Sequence, residues 1–107
     1  MFEINIRVKG IEGIKNIMKR AHIIISGIVQ GVSYRRFTEE NAKKLGLKGY
    51  VKNMPNGDVE AMIEGPEISI NQLIKKLKEG PPASKVKEVK ISWHIHKNEF
   101  SAFERRH

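Results

Sequence analysis

Two glycines, Gly27 and Gly31, bracket Ile28-Val29-Gln30, and Arg35 follows shortly after. Glycine lets successive backbone N–H groups turn toward one point, which makes a nest for an anion. The loop leads into a helical pattern, and a helix N-terminus adds unpaired N–H groups and a dipole with the same preference. Arg35 falls in the first helical turn, where its guanidinium can grip two phosphoryl oxygens at once. The three features together form a phosphate-sized cradle. The loop lacks the Gly-Lys-Ser/Thr of a nucleotide P-loop and the spacing of a dinucleotide fingerprint. Taken alone, it fits equally a tight strand-to-helix turn followed by a solvated arginine.

Other chemistry has less support. The chain has no cysteine, which excludes a disulfide framework, a thiolate nucleophile and a cysteine-based zinc site. Ser33 has no histidine and acid at a spacing that suggests a triad, and reads as a loop residue. His94 and His96 share one face of an expected strand, but a metal pair lacks an evident third ligand there. Asn53, beside the Pro55-Asn56-Gly57 turn, reads by itself as a turn residue. Trp93 alternates with Ile91 and Ile95 and is expected in the core. Lys75, Lys76 and Lys78 are expected on a solvated helix face.

These residues need elements to hold them. His22–Ser26 is rich in β-branched residues and predicts a strand. Tyr34–Leu45 predicts a helix with Tyr34, Phe37, Asn41 and Leu45 near one face, ended by Gly46. Leu47–Asn53 and Asp58–Glu64 predict two strands joined by a hairpin turn at Asn56-Gly57. In the second of these, Val59, Ala61 and Ile63 alternate with polar or longer residues, as in a half-buried strand. Ser69 and Gln72 form a capping-box pattern. The stripe Ile70, Leu73, Ile74 and Leu77 then marks an amphipathic helix, stopped by Gly80-Pro81-Pro82. Val86–His96 predicts a fourth strand with Val89, Ile91, Trp93 and Ile95 on one face, and Phe100–Arg105 a short fifth. The order β-α-β-β-α-β(-β) is the split βαβ plan. The fold class expected is therefore α+β, a ferredoxin-like sandwich. Two helices cover one face of a mostly antiparallel sheet.

Val29-Gln30-Gly31-Val32-Ser33-Tyr34-Arg35 resembles the signature loop of the acylphosphatase family, V-Q-G-V-x-[FY]-R. Leu45-Gly46-Leu47-Lys48-Gly49-Tyr50-Val51-Lys52-Asn53 is similar to that family's second motif, L-G-[LV]-x-G-[WY]-V-x-N. Gly57 and Val59-Glu60 resemble the G-x-V-E that follows it. The resemblance runs from about Ala21 to Phe103. It implies hydrolysis of a carboxylic-phosphoric mixed anhydride to a carboxylate and inorganic phosphate. The family's catalytic arginine maps onto Arg35 and its catalytic asparagine onto Asn53. Its phosphate loop maps onto Ile28, Val29, Gln30, Gly31, Val32 and Ser33. Arg36 lies one place too late to be the carried-over arginine. The N–H groups and Arg35 then neutralise the phosphoryl oxygens in the transition state, and Asn53 positions the attacking water. The substrate's own phosphoryl oxygen can take the water's proton, so no metal or other cofactor is expected. Ile28 stands where arginine is frequent, and Tyr34 where phenylalanine is commoner. The tail Phe103-Glu104-Arg105-Arg106-His107 resembles an F-x-[IV]-R-Y ending, with Arg105 at an apolar place and His107 at the tyrosine. Those departures bear on the end of the last strand rather than on the catalytic pair.

The chain's 107 residues suit one compact domain. With 39% hydrophobic and 30% charged residues the balance is globular. Abundant Ile, Lys and Glu lean toward a heat-adapted source. The formal charge is +8, which favours anions of several kinds. Residues 1–20 hold five Lys+Arg against two Glu and so account for +3 of it. Residues 1–20 read as an N-terminal extension, either an added strand and turn or a loosely held segment preceding a start at Met18. The domain is expected over residues 21–107, and its +5 suits a small anionic substrate better than nucleic acid. No apolar run approaches the ~20 residues that cross a bilayer, and the N-terminus does not read as a signal peptide. The expected partner is a small-molecule acyl phosphate, with no nucleic acid and no membrane, bound by a cytoplasmic monomer. The competing readings are a ferredoxin-like RNA-binding module and a regulatory domain without catalysis. The first needs stacked aromatics in motifs that are missing here; the second is opposed by Arg35 and Asn53.

Overall fold

The computed structural model describes residues 17–107. Residues 1–16 of the N-terminal extension lie outside the described residues. The elements are β1 Met18–Ile28, α1 Tyr34–Lys44, β2 Lys48–Asn53, β3 Val59–Pro66, α2 Glu67–Glu79, β4 Lys85–Ile95 and β5 Phe103–Arg106. They form one five-stranded sheet in the order β4-β1-β3-β2-β5. All neighbours are antiparallel except β2 and β5, which run parallel. This is the ferredoxin-like α+β sandwich expected from the element order.

Strand β1 begins at Met18, before the expected boundary at residue 21. Lys19 pairs with Gly65 and Arg20 with Glu64 on β3, so the sheet reaches back into the basic segment. Side-chain alternation along β1 buries Ala21, Ile23 and Ile25 under the helices and leaves His22 and Ile24 on the open face. Val59, Ala61 and Ile63 continue the core on β3, and Val51 on β2. On α2, Ile70, Leu73, Ile74 and Leu77 are all buried as their spacing requires. Each such side chain contributes about 2 kcal/mol of burial.

Three sequence expectations are corrected. First, α2 starts at Glu67 with Pro66 as its N-cap residue, so Ser69 is not the cap. Pro66 is extended at φ −60, ψ 137, and the strand passes directly into the helix there. Glu67 in the first turn complements the helix dipole in place of a capping box. Second, of the expected face Tyr34, Phe37, Asn41 and Leu45, only Tyr34 is fully buried, and α1 turns Thr38 and Ala42 into the core beside it while Leu45 packs there in part. Small Thr38 and Ala42 leave room against the sheet, and the Thr38 hydroxyl is satisfied by donating to the Tyr34 carbonyl at 2.9 Å. Third, Trp93 is 42% exposed and Ile95 85% exposed. β4 is an edge strand, and only its Val86, Val89 and Ile91 pack on the core. Trp93 and Ile95 lie farther along, opposite Ala21 and Lys19.

β1 and β2 are both antiparallel to β3, so they run in the same direction, and β5 runs with them. The C-terminal ends of β1, β2 and β5 therefore meet at one end of the sheet. Helix α1 starts at that end, because it follows β1 after a short loop. One topological fact thus gathers the β1–α1 loop, the end of β2 and the chain's last residues.

Candidate active site

At that end a cleft of about 260 Å³ opens. Val29, Gly31 and Ser33 line it from the loop, Arg35 and Arg36 from α1, and Asn53 from β2. Tyr34 and Arg105 complete the wall.

The loop is built by backbone conformation. Gly31 has φ 74 and Ser33 has φ 65, ψ 25, both left-handed. Two such residues, separated by one, turn N–H groups toward a common side. Among the described residues, no N–H from Gln30 to Ser33 donates to another backbone group. Ser33 is the N-cap residue of α1, yet its side chain makes no cap hydrogen bond. The first turn of α1 consequently keeps its donors free at the cleft.

The expected loop residues take different positions. Ile28 is the last residue of β1, pairs with Lys85 and is 53% exposed. Val29 inserts into the core at 1% exposure, which anchors the loop. Val32 packs against the core from outside. The Gln30 side chain turns away and donates Nε2–H to the Met54 carbonyl at 2.8 Å and to the Asp58 carbonyl at 2.9 Å. It thereby ties the loop to the β2–β3 turn, which carries Asn53 at its base. That turn is closed by the Met54 N–H donating to Asp58 O at 2.8 Å and the Gly57 N–H to Met54 O at 3.1 Å.

Arg35 reaches across to β5. Its Nη1 donates to the Arg106 carbonyl at 2.8 Å and lies 3.3 Å from His107 Nδ1. The tail therefore holds the guanidinium at the cleft from the side opposite the loop. The departures at the chain end do not dissolve the last strand. β5 forms over Phe103–Arg106, with Phe103 buried and Arg106 paired with Lys52. Asn53 is the final residue of β2, opposite Val59. Its Oδ1 is buried and has no hydrogen-bond partner. Tyr34 is buried, and its hydroxyl donates to the Leu77 carbonyl on α2. Burial pushes its phenol pKa well above the ordinary value, so it stays neutral and structural.

The cleft lining holds three guanidinium groups and no carboxylate. Arg35 and Asn53, the expected pair, line the cleft, and so do Arg36 and Arg105, which the sequence did not place there. The signal for Arg105 was its charge at a place where an apolar residue was expected. His94 is exposed on β4, and among the described residues no group of three His, Asp or Glu side chains could hold a metal. No helix among them is long and apolar enough to cross a membrane.

The sequence profile of the acylphosphatase family matches residues 21–105. This chain belongs to the acylphosphatase family. Among acylphosphatase relatives, that of Methanocella arvoryzae is 48% identical over 75 residues, covering 70% of this chain and 85% of its own. The acylphosphatase of Aeropyrum pernix is 38% identical over 101 residues, covering 94% of this chain and 100% of its own. The crystal structure of acylphosphatase from Bacillus subtilis superposes with a TM-score of 0.81 at 33% identity, across 85% of this chain and 100% of that one. The acylphosphatase match takes in the whole cleft, from the Ile28–Ser33 loop to Arg105.

Proposed function

We propose that the chain is an acylphosphatase that hydrolyses the carboxyl–phosphate bond of acyl phosphates in this cleft. One observation carries the assignment of roles: the buried, unpartnered Asn53 Oδ1 shares a cleft with Arg35 and a loop of free N–H groups. A buried acceptor without a partner costs stability unless a ligand or water supplies the donor.

The phosphoryl group sits on the Gln30–Ser33 N–H groups, and Arg35 clamps two of its oxygens. Donors fixed before the reaction stabilise the charge on the equatorial oxygens without reorganising. Water donates one hydrogen bond to Asn53 Oδ1, which points its lone pair at phosphorus. The water oxygen bonds to phosphorus as the P–O bond to the acyl group breaks. The electron pair leaves with the carboxylate, and the water's proton ends on a phosphoryl oxygen. An amide cannot act as a strong base, and a carboxylate leaving group does not require one. A nucleic-acid platform has less support: the sheet-face aromatics Phe100 and Tyr50 are already covered by Arg20 and Arg106.

Purified protein is expected to release phosphate from benzoyl phosphate in the presence of a chelator. Arg35→Ala should lower kcat/KM by about 10³-fold and Asn53→Ala by about 10²-fold or more, with circular dichroism unchanged. An inert wild type, or a fully active Asn53→Ala, overturns the assignment.

A further inference from the structure

Arg105 is not accounted for by phosphate binding. It comes from β5, lines the cleft beside Arg35 and is 40% exposed. Its Nε lies 3.7 Å from Glu39 Oε1 on α1, while Glu39 Oε2 is 3.2 Å from Lys43 Nζ. Glu39 is thus shared between two cations. It orients Arg105 without cancelling its charge. The Glu39 contact is made through Nε, which leaves the two Nη groups for a ligand in the cleft. Arg36 is differently placed: it is committed to Glu40 at 3.2 Å and is 68% exposed at the mouth. The cleft is also roomier than a phosphoryl group needs, so it accommodates part of the acyl group.

We propose that Arg105 is a specificity-determining residue that recognises a second anion on the acyl group. The preferred substrates are then acyl phosphates whose acyl part also carries a carboxylate or similar anionic group. This rests on the acylphosphatase reading of the same cleft. A free guanidinium fork matches a carboxylate with two parallel hydrogen bonds, whereas an uncharged acyl group offers it nothing.

Two rigid probes separate the possibilities: benzoyl phosphate and 4-carboxybenzoyl phosphate. Comparing each variant with the wild type on the same compound cancels their different leaving-group chemistry. Arg105→Ala should lose about tenfold more kcat/KM on the carboxylated compound than on benzoyl phosphate, mainly through KM. Arg105→Glu should widen that gap, and Arg105→Lys should recover part of it. Equal losses on both compounds, as from a purely structural role, overturn the proposal, and so does no loss on either. If the wild type hydrolyses benzoyl phosphate yet shows no selective loss, this inference alone fails. If the wild type hydrolyses neither compound, the acylphosphatase reading fails with it.

Discussion

In the proposed reaction, the role of Asn53 works against the stability of the fold. Its buried Oδ1 lacks a partner, and such a group costs about 1–3 kcal/mol. Asn53→Ala is therefore expected to leave the urea midpoint unchanged or raise it, while the reaction is lost. A marked fall in the midpoint would show that the amide is a structural group. Gln30 works in the opposite sense. Its side chain joins the β1–α1 loop to the carbonyls of Met54 and Asp58 without lining the cleft. Gln30→Ala should lower kcat about tenfold, with the larger effect on kcat than on KM, because Asn53 and the loop lose their common support. It should also cost about 1 kcal/mol of stability, read from the same denaturation curves.

At the scale of elements, glycines decide where strands come close. Gly49 has φ 140, and a Cβ there would stand 1.8 Å from the Met62 carbonyl oxygen on β3. No side-chain motion relieves a clash with backbone. Gly49→Ala should destabilise the protein by about 3 kcal/mol or more, or prevent folding, although Gly49 is not part of the cleft. Thermal denaturation or soluble yield measures it. Gly27 lies beside the register shift in β1 and has φ 129, with a Cβ position 2.1 Å from the Lys85 carbonyl. That irregularity is where β1 leaves its regular pairing and turns toward the β1–α1 loop. Both glycines stand in the sequence as parts of recognisable patterns. The reason each must be glycine lies in the neighbouring strand.

Across the whole molecule, the open sheet face is organised by a buried ion pair. Glu64 is 3% exposed. It accepts from the Lys97 N–H at 2.7 Å, the Glu99 N–H at 2.9 Å and Arg20 Nη1 at 3.2 Å. Arg20 also pairs with Glu99. The segment after β4 is thereby fastened across β1 and β3 on its way to β5, which lies beyond β2 and carries Arg105 and the tail carbonyl that holds Arg35. Burial pushes the Glu64 pKa upward, but the two N–H donors and Arg20 outweigh it and hold it below the ordinary glutamate value. Its stabilisation is complete above the unfolded value of about 4.3. The stabilisation is lost as pH falls through the lower folded value. Glu64→Gln should cost about 3 kcal/mol at pH 7, since Arg20 is left partly unpaired. The gap from the wild type should narrow as pH falls below 4. Thermal midpoints of both proteins across pH 2–7 check this, and a gap that stays constant would contradict it.

Local patterns were enough to settle the element order, the alternation on β3, and the apolar stripe of α2. They carry their own period, and the core reads that period directly. The nest and its helix are contiguous in sequence and pointed to Arg35, whereas Asn53, which by itself reads as a turn residue, was named only through the family resemblance. Alternation could not reveal that Trp93 and Ile95 lie on an edge strand beyond the core, since burial depends on what packs opposite. Spacing also could not show that Arg105 faces the cleft, or that the Arg106 carbonyl supports Arg35. Those contacts join residues some seventy positions apart, and they exist only because β5 lies parallel to β2. Strand direction and neighbour are properties of the assembled sheet, and they brought the end of the chain to the mouth of a site that begins near residue 28.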